Sequence, residues 1–253
     1  MTPLDRIRLT KAATDNGFSY PVGERDGGLL FEGMLRARLW LTRSEDGNYI
    51  AASDHAGLES ELDAPRASAA APDGFAAFEA DSLPALERLV RNIFRLAKTL
   101  PDEPIAEYEA KIRELGLLGE TETVRAQRVR VGQNIFRRNL LIYWEGQCAV
   151  TGASNEKLLK ASHTRPWREC ETRAQRLDTA NGFLLAANLD AAFDAFLISF
   201  DEAGRIIFAP SLTRHDKDAL GLHDAMRLRW VTDKHEVYLR EHRERTLRNS
   251  AAS

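Results

Sequence analysis

The chain has 253 residues, 43% hydrophobic and 29% charged, the balance of a soluble globular protein of one or two domains. No apolar run nears the ~20 residues that a membrane helix needs, and the opening MTPLDRIRLTKAATDNG lacks the apolar centre of a signal peptide, so the expected location is cytoplasmic with no membrane partner. The formal net charge of −3 does not itself point to nucleic acid, and two cysteines, Cys148 and Cys170, make neither a disulfide framework nor a C-x-x-C pair.

The charge is unevenly spread. Residues 1–120 hold 14 Lys/Arg against 21 Asp/Glu, and residues 121–253 hold 21 against 17. The second half is therefore the one electrostatically suited to phosphate, although its excess of +4 is modest.

In chain order, residues 4–14 have helix composition, with Leu4, Ile7 and Ala12 sharing a face, and Asp15-Asn16-Gly17 breaks the helix. LLFEG, ARLWLTR and NYIAAS read as strands joined by Gly-containing turns. Leu39 and Leu41 alternate with Trp40 and Thr42, as in a half-buried strand. Residues 62–72 read as an exposed Ala/Pro/Ser loop. Ser82 and Pro84 then open a helix with Leu86, Leu89, Val90, Ile93, Ala97 and Leu100 on one stripe, and a second helix covers Ile105–Leu115. These elements predict a small α+β N-terminal domain over residues 1–118. Its acidic balance argues against a main phosphate-binding surface. Base-modification recognition, dimerisation and restraint of the second domain all stay open, as does a purely supporting role.

Residues 117–124 read as the linker to a second domain, 119–253. A helix is predicted from Gly132 to Trp144. Arg137 and Arg138 lie along it, and they are candidates for phosphate contact because guanidinium suits phosphate oxygens. LLKASH reads as a strand ending at His163, and Asn181-Gly182 opens a second strand, FLLA. A short helix from Leu189 to Phe196 carries Asp190 and Asp194 on one face. LISF and RIIFAPS form a last strand pair. RLRWV reads as a strand, and Asp233 to about Arg248 as a helix with a basic edge. A His beside clustered oxygen ligands can activate water next to a divalent metal. The five other histidines, His55, His215, His223, His235 and His242, have no motif around them and read as surface.

The blocks CAVTG, SHTRPW, NGFLL and NLDAAFDAFLISF stand in the order and spacing of one branch of the HNH nuclease family, which this stretch of about 60 residues resembles. The resemblance implies a ββα-metal fold, so the whole chain is expected to be α+β, a C-terminal HNH nuclease domain preceded by the small N-terminal one. It implies that His163 is the general base and that Asn181 ties the loop to the His strand. It implies a metal set drawn from His163, Asn188, Asp190 and Asp194, with oxygen donors favouring Mg²⁺ or Mn²⁺ and no structural zinc. Lys160 or Arg165 would hold the phosphate of double-stranded DNA, with Arg137 and Arg138 as further contacts. Two positions depart from the family pattern. Asn188 stands where relatives of this branch carry His, and Ser162 stands where many in the wider family carry an acidic ligand. Two functions follow: a metal-dependent DNA endonuclease, restriction- or defence-related and working as a homodimer, or a non-catalytic DNA-binding module on the same scaffold. A third reading makes residues 1–120 a sensor of a small ligand or partner protein.

Overall fold

The computed structural model describes residues 1–68 and 71–249. The chain divides into two compact units, Met1–Glu103 and Pro104–Ser253.

The first unit begins with helix α1 (Pro3–Thr14), opened by a Thr2/Asp5 capping box. Five strands follow, β1 (Tyr20–Arg25), β2 (Gly28–Glu32), β3 (Leu39–Arg43), β4 (Tyr49–Ser53) and β5 (Ala76–Ala80), paired antiparallel in chain order. Helix α2 (Leu58–Glu61) precedes β5, and α3 (Leu83–Thr99) follows it. Ser82 caps α3 through the Ala85 amide, and its apolar stripe is buried. Leu39, Trp40 and Leu41 are all buried, so β3 is covered on both faces rather than one. Leu30, Trp40, Ile50 and Ala52 form a cluster under Ala67, Ala71, Phe75 and Ala77. The 62–72 segment therefore lids part of the sheet, with Ala69 and Ala70 outside the described residues. In α1 the buried residues are Asp5, Leu9, Ala12 and Ala13, while Leu4 and Ile7 point to solvent.

All but the first two residues of helix α4 (Asp102–Glu114) lie in the second unit, which begins at Pro104. The reason lies in its polar face. Glu107 pairs with Arg138, and Glu109 pairs with Arg173 at 3.2 Å. Helix α5 (Glu122–Tyr143) starts ten residues earlier than expected, at a Thr121 cap, because Arg/Gln-rich turns remain good helix formers without an apolar stripe. The remaining elements are β6 (Leu159–His163), α6 (Arg173–Leu177), β7 (Gly182–Ala186), α7 (Ala187–Asp194), β8 (Ile198–Phe200), β9 (Ile206–Phe208), α8 (Arg214–Leu220) and α9 (Asp233–Arg248). Strands β6 and β7 pair antiparallel, as do β8 and β9. RLRWV forms no strand of its own, only an isolated bridge from Arg227 to Arg205.

Helix α9 is docked by a stripe of His235, Tyr238, Leu239, His242 and Thr246, all buried. This corrects the surface reading of two histidines. His242 stacks on Phe193 at 3.9 Å and bonds the Ser199 hydroxyl and the Phe193 carbonyl, each at 3.1 Å. His235 joins the capping box of α9 through Thr232 and stacks over Phe183 at 5.5 Å. Most of the expected basic edge of α9 is spent internally. Arg243 pairs with Glu236 and Glu202, Arg245 with Glu169 and Glu241, and Arg248 with Glu244. No helix among the described residues is long and apolar enough to cross a membrane.

Candidate active site

The hairpin β6–β7 and helix α7 form the frame of the site. The register pairs Leu159 with Ala186 and His163 with Gly182, so the strand His and the glycine after Asn181 face each other at the open end. The turn before the hairpin is closed by sulfur. Cys148 Sγ accepts from the amides of Val150, Thr151 and Ala186 at 3.3–3.5 Å.

His163 is the last residue of β6. Its ring lies flat on Phe136, with centroids 3.7 Å apart, and meets the edge of Trp167 at 5.5 Å. Nε2 sits 3.1 Å from the Arg176 carbonyl oxygen. A carbonyl only accepts, so Nε2 carries the proton and donates, which leaves the lone pair on Nδ1. Burial holds the imidazole pKa down at about 4, against a smaller upward pull from the Arg176 bond. At neutral pH the ring is therefore uncharged and able to take a proton.

Two helical positions four residues apart shape this pocket from α5. A Cβ on Gly132 would overlap the Trp167 indole, so the helix can accept that ring only because it has glycine there. Phe136, one turn on, carries the imidazole. Gly182 is hemmed by the Ser162 carbonyl and the Phe136 ring, where a Cβ would also overlap. Close approach, rather than a turn conformation, requires glycine in the Asn-Gly pair.

Asn181 is wholly buried. Its Oδ1 accepts from the Arg165 amide at 2.8 Å, and its Nδ2 donates to the Gln175 carbonyl at 2.9 Å. It also lies 3.3 Å from Cys170 Sγ. The amide thus pins loop 165–175 to the hairpin, and the residue after Gln175 supplies the carbonyl that holds His163. Asp178 completes the corner by accepting from the Ala180 amide and the Tyr238 hydroxyl. Burial raises its pKa.

Consecutive strand residues project to opposite sides, and Ser162 turns to α7. Its hydroxyl faces the Asp190 carboxyl but falls short of hydrogen-bond geometry, leaving a buried Oγ, 3% exposed, without a partner. Burial raises the Asp190 pKa. The Asp194 charge adds to the rise, and Ser162 and Lys160 oppose it. The structure therefore brings together Lys160, Ser162, Asp190 and Asp194, and sets His163 against the other side of the hairpin. Asn188 is exposed and donates to the Leu220 carbonyl at 2.9 Å. Among the described residues no three His, Cys, Asp or Glu side chains gather closely enough to enclose a metal.

The expected phosphate ligands are variously engaged. Arg137 donates to the Leu159 and Glu156 carbonyls and so clamps the start of β6. Arg138 pairs with Glu107, and Arg165 pairs with Glu241 at 3.0 Å while lying over the Tyr238 ring. Lys160 is exposed beside the Asp190 carboxyl. Phe136, Trp167, Gly132 and the Arg176 carbonyl were not anticipated. The four-residue spacing of Gly132 and Phe136 and the SHTRPW block that contains Trp167 were the available signals.

A β-hairpin carrying a terminal histidine, with a short helix packed against its first strand, is the core of this part of the chain. Residues 148–201 match the model of the HNH endonuclease family. For this segment the match supports a nuclease-type, DNA-related function. No curated protein matches it.

Proposed function

We propose that the second unit is a ββα-metal DNA endonuclease that hydrolyses phosphodiester bonds, with His163 as general base. The observation that carries this reading is the bond from His163 Nε2 to the Arg176 carbonyl, which fixes the tautomer and frees Nδ1 to take a proton from water. Asn181 acts as a positioning residue for that carbonyl.

The oxygen donors suit a hard cation. The orphaned Ser162 hydroxyl and the neighbouring Asp190 and Asp194 carboxylates offer the one or two protein ligands that Mg²⁺ typically uses, with phosphate and water filling the rest. When bound, Mg²⁺ or Mn²⁺ supplies charge stabilisation at the leaving oxygen. Lys160 holds the phosphate from the same face. Double-stranded DNA is the proposed substrate. A homodimer would serve both strands, and a restriction or defence role in the cytoplasm accords with such an activity.

A plasmid-nicking assay with Mg²⁺, Mn²⁺, Co²⁺ and Ni²⁺ tests this. Wild type is expected to nick, and His163→Ala is expected to lose activity while keeping its fold. A His163→Ala protein that cuts at the wild-type rate rules out the assigned base. The alternative, salt-sensitive DNA binding without turnover, draws on Asn188 being committed to the Leu220 carbonyl. It predicts no nicking with any of the four ions.

A further inference from the structure

Trp167, half-buried, faces more than the imidazole. One edge meets His163, and the ring also lines a hollow of about 230 Å³ formed with Tyr108, Arg128, Arg168, Arg173 and Arg176. A neighbouring hollow of about 410 Å³ shares Tyr108, Arg128 and Arg173, so the two form one groove bounded by α4, α5 and α6. Its apolar walls mix two aromatic rings with aliphatic side chains, and guanidinium groups outnumber the carboxylates of Glu109 and Glu120.

The arginines differ in what they have left to offer. Arg128 is taken by the Leu117 carbonyl at 2.7 Å and by Glu120. Arg173 makes a surface pair with Glu109 and lies 5.8 Å over the Tyr108 ring. Its side chain is 60% exposed, so solvent weakens that pair. Arg168 is 86% exposed, with Glu169 no closer than 3.8 Å. Arg176 bonds only the Trp167 and Cys170 carbonyls, and its charge meets no carboxylate among the described residues. Two aromatic faces beside guanidinium groups not fully neutralised are what an unstacked base and its phosphate require. A duplex is too wide to enter 230 Å³, whereas one nucleotide turned out of the stack can.

We infer that this groove binds a single unpaired nucleotide of the DNA substrate, stacking its base against Tyr108 and Trp167 and holding its phosphate on Arg168, Arg173 and Arg176. The inference rests on the DNA-endonuclease reading and names a structural preference within it. Unpaired or distorted sites are favoured over continuous duplex. The groove reaches the base through two links, the Trp167 ring and the Arg176 backbone, so occupancy bears on the wall and the carbonyl that hold His163.

The test measures binding, not cutting, in EDTA. Fluorescence anisotropy compares the full chain on a plain duplex and on the same duplex carrying one bulged nucleotide. The wild-type chain is expected to bind the bulged duplex at least about fivefold more tightly, the low end for stacking one base on an aromatic ring. Tyr108→Ala should erase the preference and Tyr108→Phe should keep it. Arg168→Ala, a change at an exposed side chain that folding does not need, should weaken bulge binding and flatten its salt dependence by about one unit of slope. Equal binding of both duplexes by wild type, or an undiminished preference in Tyr108→Ala, overturns the inference. If the chain discriminates in EDTA but nicks with none of the ions, the endonuclease reading fails and the groove stands. If it nicks plain duplex and shows no preference, the reverse holds.

Discussion

Replacing Asn181 by alanine tests the link between the buried corner and the proposed base. The change removes one acceptor and one donor and leaves the Arg165 amide and the Gln175 carbonyl without their Asn181 partners. Each unpaired group in such a site costs about 1–3 kcal/mol, so the second unit should lose about 2–6 kcal/mol. Urea unfolding followed by tryptophan fluorescence reads this well, because Trp144, Trp167 and Trp230 all lie in that unit and only Trp40 lies in the first. Loss of the pin also frees the Arg176 carbonyl that holds His163, so nicking by the folded variant should fall in kcat with little change in KM. Asn181→Asp separates the two halves of the role. It keeps an acceptor for the Arg165 amide but turns an oxygen toward the Gln175 carbonyl, and should be no better than alanine. A variant within about 0.5 kcal/mol of wild type that also nicks at the wild-type rate would refute the idea that this amide organises the site.

Further outcomes follow from the same packing. Gly132→Ala gains about 1 kcal/mol of helix propensity but displaces Trp167. A net loss of stability and a changed tryptophan emission are expected, and an unaltered emission spectrum would argue against the contact. His235 and His242 are held neutral, with pKa values pushed down by burial to about 3 and about 4 from 6.5. Their contribution is fully present above pH 6.5 and is lost as pH falls toward 4. Between pH 6.5 and pH 5 the two together should cost about 3 kcal/mol. His163, held down in the same way, adds to the loss, so the fall in unfolding free energy between those pH values should be about a third smaller in His242→Gln than in wild type. Ser162→Asp adds a carboxylate beside Asp190. Its melting temperature should drop in EDTA and rise with Mn²⁺ by several degrees more than that of wild type. Indifference of both proteins to Mn²⁺ would remove Ser162 and Asp190 from any cation site.

The parts legible in the sequence were those with a strong period or a dense motif. Helix α3 and helix α9 carried caps and stripes, and the β6–β7 hairpin was framed by SHTRPW and NGFLL. Strand β1 was missed because all six of its residues are exposed and two of them are Pro21 and Gly23. Strand β5, AAFEA, was missed because alanine is a poor strand former. The first half of α5 has no apolar face to register. The site was legible as a set of residue types but not as an arrangement. Strand alternation sends Ser162 and His163 to opposite sides, and nothing local announces that Arg137 and Arg165 find their partners at Leu159 and Glu241. His235 and His242 could have been recognised, since they repeat at the spacing of Tyr238, Leu239 and Thr246 along one face of α9.

The fit of the Trp167 indole over Gly132 also bears on how this chain can change over generations. A side chain cannot be added at position 132 while the indole stays, and the indole cannot be trimmed without opening a hollow against the helix. Related chains should therefore keep glycine and tryptophan as a pair or lose them together, and single intermediates should be scarce.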